Sequence, residues 1–322
     1  MKKIHNYLSV MMMAVAAVAM TACEKQEPEQ SDGDETGSLT VRFGIEPWLE
    51  TVTISMEDAG NAATRTAGDD ATAFGNDART ATRAALQADG KALTDFWLLD
   101  YVDGELKAEI HQTSDMSDFG EPTVRLDYGE HTIYFIASRG TDPTLSTADK
   151  TITWQKPLDT FYKRLSLTVS RETATEQDVT LERVVTKLTV QVADAVPENV
   201  TAFTITPATW YHGLNYETLE PASPQADAPR TISITENYYG IENAIKASIF
   251  GFCPQDGYET DVLLTASDGE GASVSEATIS GATLKVNHVS QYTGTMFTDH
   301  AHQAGFTLTI SDIWGEVIEG TW

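Results

Sequence analysis

The chain has 322 residues, and its 48 Asp and Glu outnumber its 21 Lys and Arg, which gives a formal net charge of −27. This charge opposes binding to nucleic acid, because affinity for phosphates comes from Lys and Arg, and it opposes electrostatic binding to an anionic membrane surface. The length is enough for two ordinary domains, each with a buried core.

Residues 1–22 have the pattern of an export leader. Lys2 and Lys3 supply a positive start, and residues 10–20 are apolar without a break. Such a run is too short to cross a hydrocarbon core, which needs about 20 residues, so we expect a signal peptide that is removed. Residues 20–23, Met-Thr-Ala-Cys, resemble a bacterial lipobox, which predicts a lipid on Cys23. The alternative is an ordinary secretory leader, with the cysteine incidental.

The cysteine content is minimal, since Cys23 and Cys253 are the only two. If Cys23 carries a lipid, Cys253 has no partner within the chain, so a disulfide framework is excluded and stability must come from core burial. Cys253 stands between Phe252 and Pro254, and we interpret it as a small core residue rather than a nucleophile.

An acidic linker and a first strand follow the leader. Residues 23–37 are rich in acidic residues, Gln, Ser and Gly, and their few apolar side chains cannot offset the entropy of ordering. Residues 24–27 resemble the surface-export signal of Bacteroidales lipoproteins, which predicts a surface-exposed protein. Polar residues then alternate with apolar ones, a pattern that indicates a strand with one buried face. The apolar positions are Leu39, Val41, Phe43 and Ile45.

A long polar segment, 57–90, interrupts this pattern. It is rich in Ala, Thr, Gly and Asp, and loops of this length are usually functional or disordered. Arg65, Arg79 and Arg83 lie in it, each after a small residue and before Thr or Ala, which predicts sites accessible to a trypsin-like protease. A solvated loop without processing is the alternative.

Short strand patterns return from residue 93 onward. Asp103 and Gly104 separate two of them as a hairpin turn, residues 157–165 are interpreted as a single helical turn, and 179–192 give the longest strand signal. We interpret 207–230, with its four prolines, as a long loop. Alternation reappears near the end at Phe306, Leu308 and Ile310. No segment sustains a helical period, so the chain is predicted to be all-β and sandwich-like.

Catalytic signatures are missing from the sequence. It contains no HExxH, no GxSxG and no glycine-rich phosphate loop, so we expect no enzyme, no cofactor and no metal. His300 and His302 form the only histidine cluster, which we interpret as a solvated turn rather than a ligand pair. Trp210 and Tyr211 are candidate aromatics for stacking on a sugar ring, although hydrophobic cover over one end of a sandwich is the alternative.

Taken together, these features resemble the fimbrillin-type pilus subunits of Bacteroidales. The lipobox, acidic spacer, first strand and arginine-bearing loop carry the resemblance, and three further stretches match strands of that family. These are DFWLLDYVDGEL at 95–106, LERVVTKLTVQV at 181–192 and LKVNHVSQYTGTMF at 284–297. The match covers most of the mature chain, but its motifs describe strands and not a reaction.

The resemblance implies a fold and an assembly route. It implies two transthyretin-like β-sandwich domains, 38–180 and 181–322, in a lipoprotein that travels to the outer membrane. An arginine-specific protease would cut the 57–90 loop, best at Arg83 before Ala84, with Arg65 or Arg79 as alternatives. The strand at 39–45 would then leave, and a neighbour's C-terminal strand would fill the groove by β-augmentation. Phe306, Leu308 and Ile310 would belong to that donor strand.

The implied partners follow from the same resemblance. They are other fimbrial subunits, the same or related, the outer membrane through the lipid, and a host or bacterial surface ligand; nucleic acid is not among them. An anchor subunit would keep Cys23 and stay uncut, whereas a stalk or tip subunit would be processed, and the sequence leaves both roles open. The alternative function is a surface lipoprotein that binds a glycan or a protein and does not polymerise.

Overall fold

The structure of the chain, a computed structural model, describes residues 37–47, 87–88, 91–226, 229–298 and 307–311. Nearly all regular structure in these ranges is β, and the helical exception is one short 3-10 turn at Glu236–Tyr238. The prediction of an all-β chain is confirmed. Among the described residues, none forms a helix long and apolar enough to cross a membrane.

The strands of the described residues are numbered here in chain order. The first half holds β1 Ser38–Pro47, β2 Gln87–Ala88, β3 Lys91–Ala92, β4 Asp95–Val102, β5 Glu105–Thr113, β6 Thr123–Asp127, β7 Gly129–Ser138, β8 Thr144–Ser146, β9 Thr151–Thr153, β10 Thr160–Val169 and β11 Glu176–Arg183. The second half holds β12 Thr186–Val192, β13 Ala202–Pro207, β14 Thr209–Asn215, β15 Pro221–Ala226, β16 Arg230–Ser233, β17 Ile245–Gly251, β18 Tyr258–Ser267, β19 Ser273–Leu284, β20 Val289–Gly294 and β21 Thr307–Ser311.

The first sandwich is one sheet that folds over itself at β11. Its order is β5-β4-β7-β10-β11-β1-β6. β11 pairs with β1 over six residues but with β10 over only two, so the sheet parts there into two layers. The rings of Phe43 on β1 and Phe135 on β7 meet edge to face at 5.2 Å between the layers. The apolar core of this sandwich lies between them.

The second sandwich consists of two four-stranded sheets. Their orders are β17-β12-β20-β21 and β16-β13-β18-β19. Inward side chains of both sheets, among them Leu188, Val190, Phe203 and Leu264, are fully buried and belong to one apolar cluster. Alternation along each strand produces this core, because successive side chains of a strand point to opposite faces.

A third sheet joins the two halves of the chain. Its order is β15-β14-β9-β8, so strands from either half pair directly, with Gly213 opposite Thr153. A buried aromatic cluster links this sheet to the first sandwich, where the hydroxyls of Tyr101 and Tyr216 lie 2.7 Å apart. A domain boundary between residues 180 and 181 stays a prediction, which the separate cores of the two sandwiches support.

Two local predictions are wrong. The proline-rich segment 207–230, interpreted as a loop, contains β14 and β15, and β15 accommodates Pro221 and Pro224 because it is an edge strand. The expected helical turn at 157–165 is instead the start of β10, whose Phe161 and Tyr162 are buried on opposite faces. The hairpin at Asp103 and Gly104 is confirmed, and both residues have positive φ, at 52° and 80°.

Candidate strand-exchange sites

β1 lies in the interior of its sheet, with a partner on each edge. It runs parallel to β11, from Arg42 opposite Glu176 to Pro47 opposite Leu181. On its other edge it runs antiparallel to β6, with Ser38 opposite Asp127. Backbone pairing continues beyond β6, where the amides of Phe43 and Ile45 donate to the carbonyls of Pro122 and Gly120, at 3.0 and 3.1 Å. We call the space between β6 and β11 that β1 fills the β1 slot.

The inner face of β1 is part of the core. The side chains of Val41, Phe43 and Ile45 have no exposed surface, and Leu39 packs against the same cluster while partly buried. The predicted alternation of this strand is therefore confirmed residue by residue. Burial of one such side chain stabilises a fold by about 1.5–3 kcal/mol, so the three together contribute roughly 5–9 kcal/mol of burial free energy.

The outer face of β1 is polar. Thr40 is exposed, and the guanidinium of Arg42 forms an ion pair with the carboxylate of Glu121. The Nε of Arg125 donates to the hydroxyl of Ser38 at 2.7 Å. Exposed contacts of this kind contribute about 0–1 kcal/mol each. The strength with which the slot holds β1 therefore comes from its inner face and its two edges.

β1 ends at Pro47, and the segment with the proposed protease sites follows it. Arg65, Arg79, Arg83 and Ala84 lie outside the described residues, as does Cys23. Cleavage in the loop and lipidation therefore stay predictions.

β21 lies at an edge of the second sandwich. It pairs antiparallel with β20, with Leu308 opposite Tyr292 and Ile310 opposite Ser290. Among the described strands it has no second neighbour. Phe306 lies outside the described residues. The proposed donor strand is thus paired within its own chain, through one edge, over five residues.

A buried carboxylate holds the chain where it departs from β20. Asp194 follows β12 and is 8% exposed. Its oxygens accept the backbone N–H groups of three consecutive residues: Met296 at 3.0 and 3.1 Å, Phe297 at 2.5 Å and Thr298 at 3.0 Å. Hydrogen bonds to a charged acceptor are stronger than neutral ones. The arm that leads toward β21 is therefore fixed as far as Thr298.

This role of Asp194 could not be predicted from the sequence. Its partners lie more than one hundred positions further along the chain, and one Asp among many acids carries no local signal. The nearest hint is its place immediately behind a strand pattern that ends at Val192.

The proposed ligand aromatics lie in a strand rather than in a loop. Trp210 is 2% exposed, and its indole N–H donates to the carbonyl of Phe250 at 2.8 Å. Its ring therefore cannot stack on a sugar, and its burial fits the alternative of hydrophobic cover. Tyr211 is half-buried and meets the ring of Tyr258 edge to face.

Two other sequence predictions concern reactive groups. Cys253 is buried, and burial raises the pKa of its thiol to about 12, which keeps it protonated and unreactive. His300 and His302 lie outside the described residues. Among the residues that the structure does describe, no group of three or more His, Cys, Asp or Glu could hold a metal ion.

No protein-family model matches the chain, and no curated protein matches it. Solved structures do resemble it. One is a proposed adhesin from Bacteroides ovatus, with 9% identity over 81% of this chain and 88% of that one, at a TM-score of 0.48. The tip fimbrial protein of Porphyromonas gingivalis matches with 16% identity over 68% and 94%, at 0.40. The fimbrial anchor protein of the same organism matches with 11% identity over 71% and 91%, also at 0.40.

Proposed function

We propose that this chain is a structural or adhesive subunit of a cell-surface fimbrium and that it assembles by strand exchange. The observation that carries the proposal is the β1 slot. A strand with both edges paired and with three side chains of zero exposure is followed in the sequence by the predicted loop 57–90, which carries three arginines. A cut in that loop would leave β1 held only by non-covalent contacts.

An emptied slot could not stay open in water. Loss of β1 would expose the apolar core and the unpaired edges of β6 and β11, and unpaired edges are templates for another strand. An incoming strand gains backbone hydrogen bonds along both edges and needs apolar side chains at alternate positions. The slot thus selects an extended segment with apolar residues two positions apart.

The C-terminal strand has this pattern. Phe306, Leu308 and Ile310 stand two positions apart, as Val41, Phe43 and Ile45 do in β1. Because β21 has one partner among the described strands, its release would break one described ladder, whereas β1 has two. We propose that the C-terminal strand of one subunit takes the place of β1 in the next.

The last part of the proposal concerns the lipid predicted on Cys23, which would attach the chain to the membrane. The lipobox predicts a lipid on Cys23, and the acidic spacer behind it predicts display at the outer surface of the outer membrane. Cleavage at Arg83 would separate Cys23 and β1 from the remainder, so only an uncut subunit keeps its lipid. An uncut chain would serve as an anchor, and a cut one as a stalk or tip subunit.

Limited proteolysis tests the proposal. Trace trypsin should cut the mature chain first after Arg83, and N-terminal sequencing should then give Ala84. Size-exclusion chromatography of the cut chain should show polymers that grow with protein concentration. Mass spectrometry of the polymer should find the fragment that carries β1 missing.

Arg83→Gln should move the first cut to Arg79 or Arg65 or slow it. A matched control is Arg171→Gln, in an exposed turn closed by the 3.2 Å hydrogen bond from the Thr173 amide to the Ser170 carbonyl, which should leave the cut pattern unchanged. A cut chain that stays monomeric and binds a polysaccharide column would contradict assembly and favour the ligand-binding alternative.

A further inference from the structure

A cavity of about 690 Å³ lies where the two sandwiches and the third sheet meet. The first sandwich lines it with β10 and β11, and the third sheet with the turn between β14 and β15. The second sandwich contributes the turns β17–β18 and β19–β20. Small-molecule sites have volumes of about 300–1,000 Å³ and occur preferentially at such junctions. No lining residue belongs to β1 or β21, so neither strand of the proposed exchange forms part of the cavity.

Hydrogen bonds within the chain hold the walls of this cavity together. The hydroxyl of Tyr162 on β10 donates to the carbonyl of Tyr216 at 2.8 Å, which ties the first sandwich to the β14–β15 turn. The amide of Asn287 in the β19–β20 turn donates to the carbonyl of Val185, also at 2.8 Å, which ties the second sandwich to the chain that leaves β11. The cavity is therefore pre-formed, as small-molecule sites usually are.

Two lining residues have a left-handed backbone conformation. They are Leu219, with φ at 63°, and Asn287, with φ at 58°. Asn tolerates this conformation, whereas a bulky residue such as Leu rarely adopts it. Backbone strain of this kind clusters at ligand sites. The side chain of Leu219 packs, partly buried, against the same aromatic cluster as Tyr162 and Val184, so the strained turn brings apolar surface to the cavity.

Polar side chains without partners also line the cavity. The hydroxyl of Thr180 and the side-chain amides of Gln255 and Asn287 form no hydrogen bond with any described residue. A hydroxyl or an amide can both donate and accept, and the hydroxyl groups of a sugar do the same. Apolar side chains complete the lining and could cover the C–H groups of a sugar ring; they are Val184, Leu219 and Val286.

The charged side chains of the lining are mostly positive. Lys163, Arg164 and Arg183 are cations, and Glu182 is the only acid among the residues given for this cavity. The Nζ of Lys163 lies 2.8 Å from a carboxylate oxygen of Glu182. Arg183 binds both oxygens of the buried Asp159, at 2.6 and 2.9 Å. These two cations are therefore already neutralised, and the excess positive charge is that of Arg164.

Arg164 is exposed and has no acidic partner among the described residues. Its guanidinium lies over the ring of Tyr134, 5.8 Å from the ring centre, and forms no hydrogen bond with a described residue. In a chain of net charge −27, an arginine without an acid beside it is unusual. The fork of N–H donors in a guanidinium matches the planar pair of oxygens in a carboxylate, so Arg164 calls for an anionic group on the ligand.

We propose that this cavity binds an acidic sugar, with Arg164 holding its carboxylate and with Gln255 and Asn287 holding its hydroxyl groups. A neutral sugar would leave Arg164 without its acceptor, and a simple organic acid would leave the two amides without partners. The use of this site in adhesion rests on the proposed function, whereas binding itself requires neither cleavage nor strand exchange.

Isothermal titration calorimetry of the uncut mature chain, at fixed ionic strength, tests the site. The probes are glucuronate, galacturonate and N-acetylneuraminate, with glucose and acetate for comparison. At least one acidic sugar should bind ten times more tightly than either comparison compound. Absence of binding by all three, or equal binding of glucose or of acetate, would overturn the proposal. Because the chain is uncut, these results do not depend on whether it polymerises.

Three variants locate the binding. Arg164→Gln should weaken it at least tenfold, the effect of losing one charge-assisted hydrogen bond. Gln255→Ala, at an exposed position, should weaken binding of the acidic sugar about threefold to tenfold. Arg171→Gln removes the same charge as Arg164→Gln from an exposed turn outside the cavity and should leave the affinity unchanged. Equal affinity in Arg164→Gln and the parent chain, or an equal loss in Arg171→Gln, would overturn the proposal.

Discussion

The two strands that matter most to the proposed function are held in opposite ways. β1 lies inside its sheet, with partners on both edges and three side chains of zero exposure. β21 lies at the edge of another sheet, with one described partner over five residues. In the proposed exchange, the strand that leaves is thus the tightly held one, and the strand that is donated is the loosely held one.

This difference would set the order of events in the proposed assembly. In the proposed route, a loosely held donor would be available at all times, whereas the β1 slot would stay closed until the loop is cut and β1 is displaced. On this proposal, subunits with closed slots would not polymerise before they are cut, although each carries the proposed donor strand. The β1 slot would therefore control when subunits assemble. The first prediction below concerns how tightly this slot holds β1.

The largest effect is expected from Phe43→Ala. Removal of a fully buried Phe should cost about 3–5 kcal/mol of the free energy of unfolding, because a cavity remains beside Phe135. Urea denaturation measures this cost. The matched control is Thr40→Ala, at an exposed position of the same strand, which should stay within about 0.5 kcal/mol of the parent. Equal costs at the two positions would contradict the burial of β1.

A smaller effect is expected at the base of the donor arm. Asp194→Asn keeps the size of the side chain but removes the charge that accepts the amides of Met296, Phe297 and Thr298. We expect a loss of about 1–3 kcal/mol and faster hydrogen exchange at those three amides. Asp256→Asn, at an exposed turn position, serves as the control. Unchanged exchange in Asp194→Asn would show that this carboxylate does not hold the arm.

The smallest effect is expected at Cys253, which follows β17 at the other edge of the sheet that holds β21. If β21 can leave without opening its sandwich, the thiol of a Cys23→Ser chain should stay unreactive toward a thiol reagent at pH 8. Deletion of 306–322 should leave it equally unreactive. Rapid labelling after the deletion would mean that β21 is as integral to its sandwich as β1 is to the other.

The contribution of the Cys253 thiol to the stability of the fold depends on pH, and its direction follows from the shifted pKa. Burial raises its pKa from 9.0 to about 12 in the folded chain. The protonated thiol therefore stabilises the fold fully below pH 9, and this contribution is lost as the pH rises through 12. Thermal melting should show the Cys23→Ser chain losing stability relative to Cys23→Ser/Cys253→Ala over that interval, and a constant gap would contradict the shift.

Strands β1 and β15 show how much of the fold could be predicted from the sequence. Leu39, Val41, Phe43 and Ile45 revealed β1, because a strand with one buried face shows a period of two. β15 was missed because Pro221 and Pro224 suggest a loop, and only its place at an edge makes them compatible with a strand. The pairing of β9 with β14 and the clamp by Asp194 join residues far apart in the chain, and local patterns carry no trace of such contacts.

The most direct test of the proposed strand exchange mixes two variants of the chain, one that can only accept a strand and one that can only donate it. A chain that lacks 306–322, once cut, can only accept a strand. A chain with Arg65, Arg79 and Arg83 all changed to Gln can only donate one. Analytical ultracentrifugation of each alone should show monomers, and their mixture should give one-to-one dimers and nothing longer. Longer polymers from either chain alone, or a mixture that stays monomeric, would contradict the exchange of β1 for a neighbour's C-terminal strand.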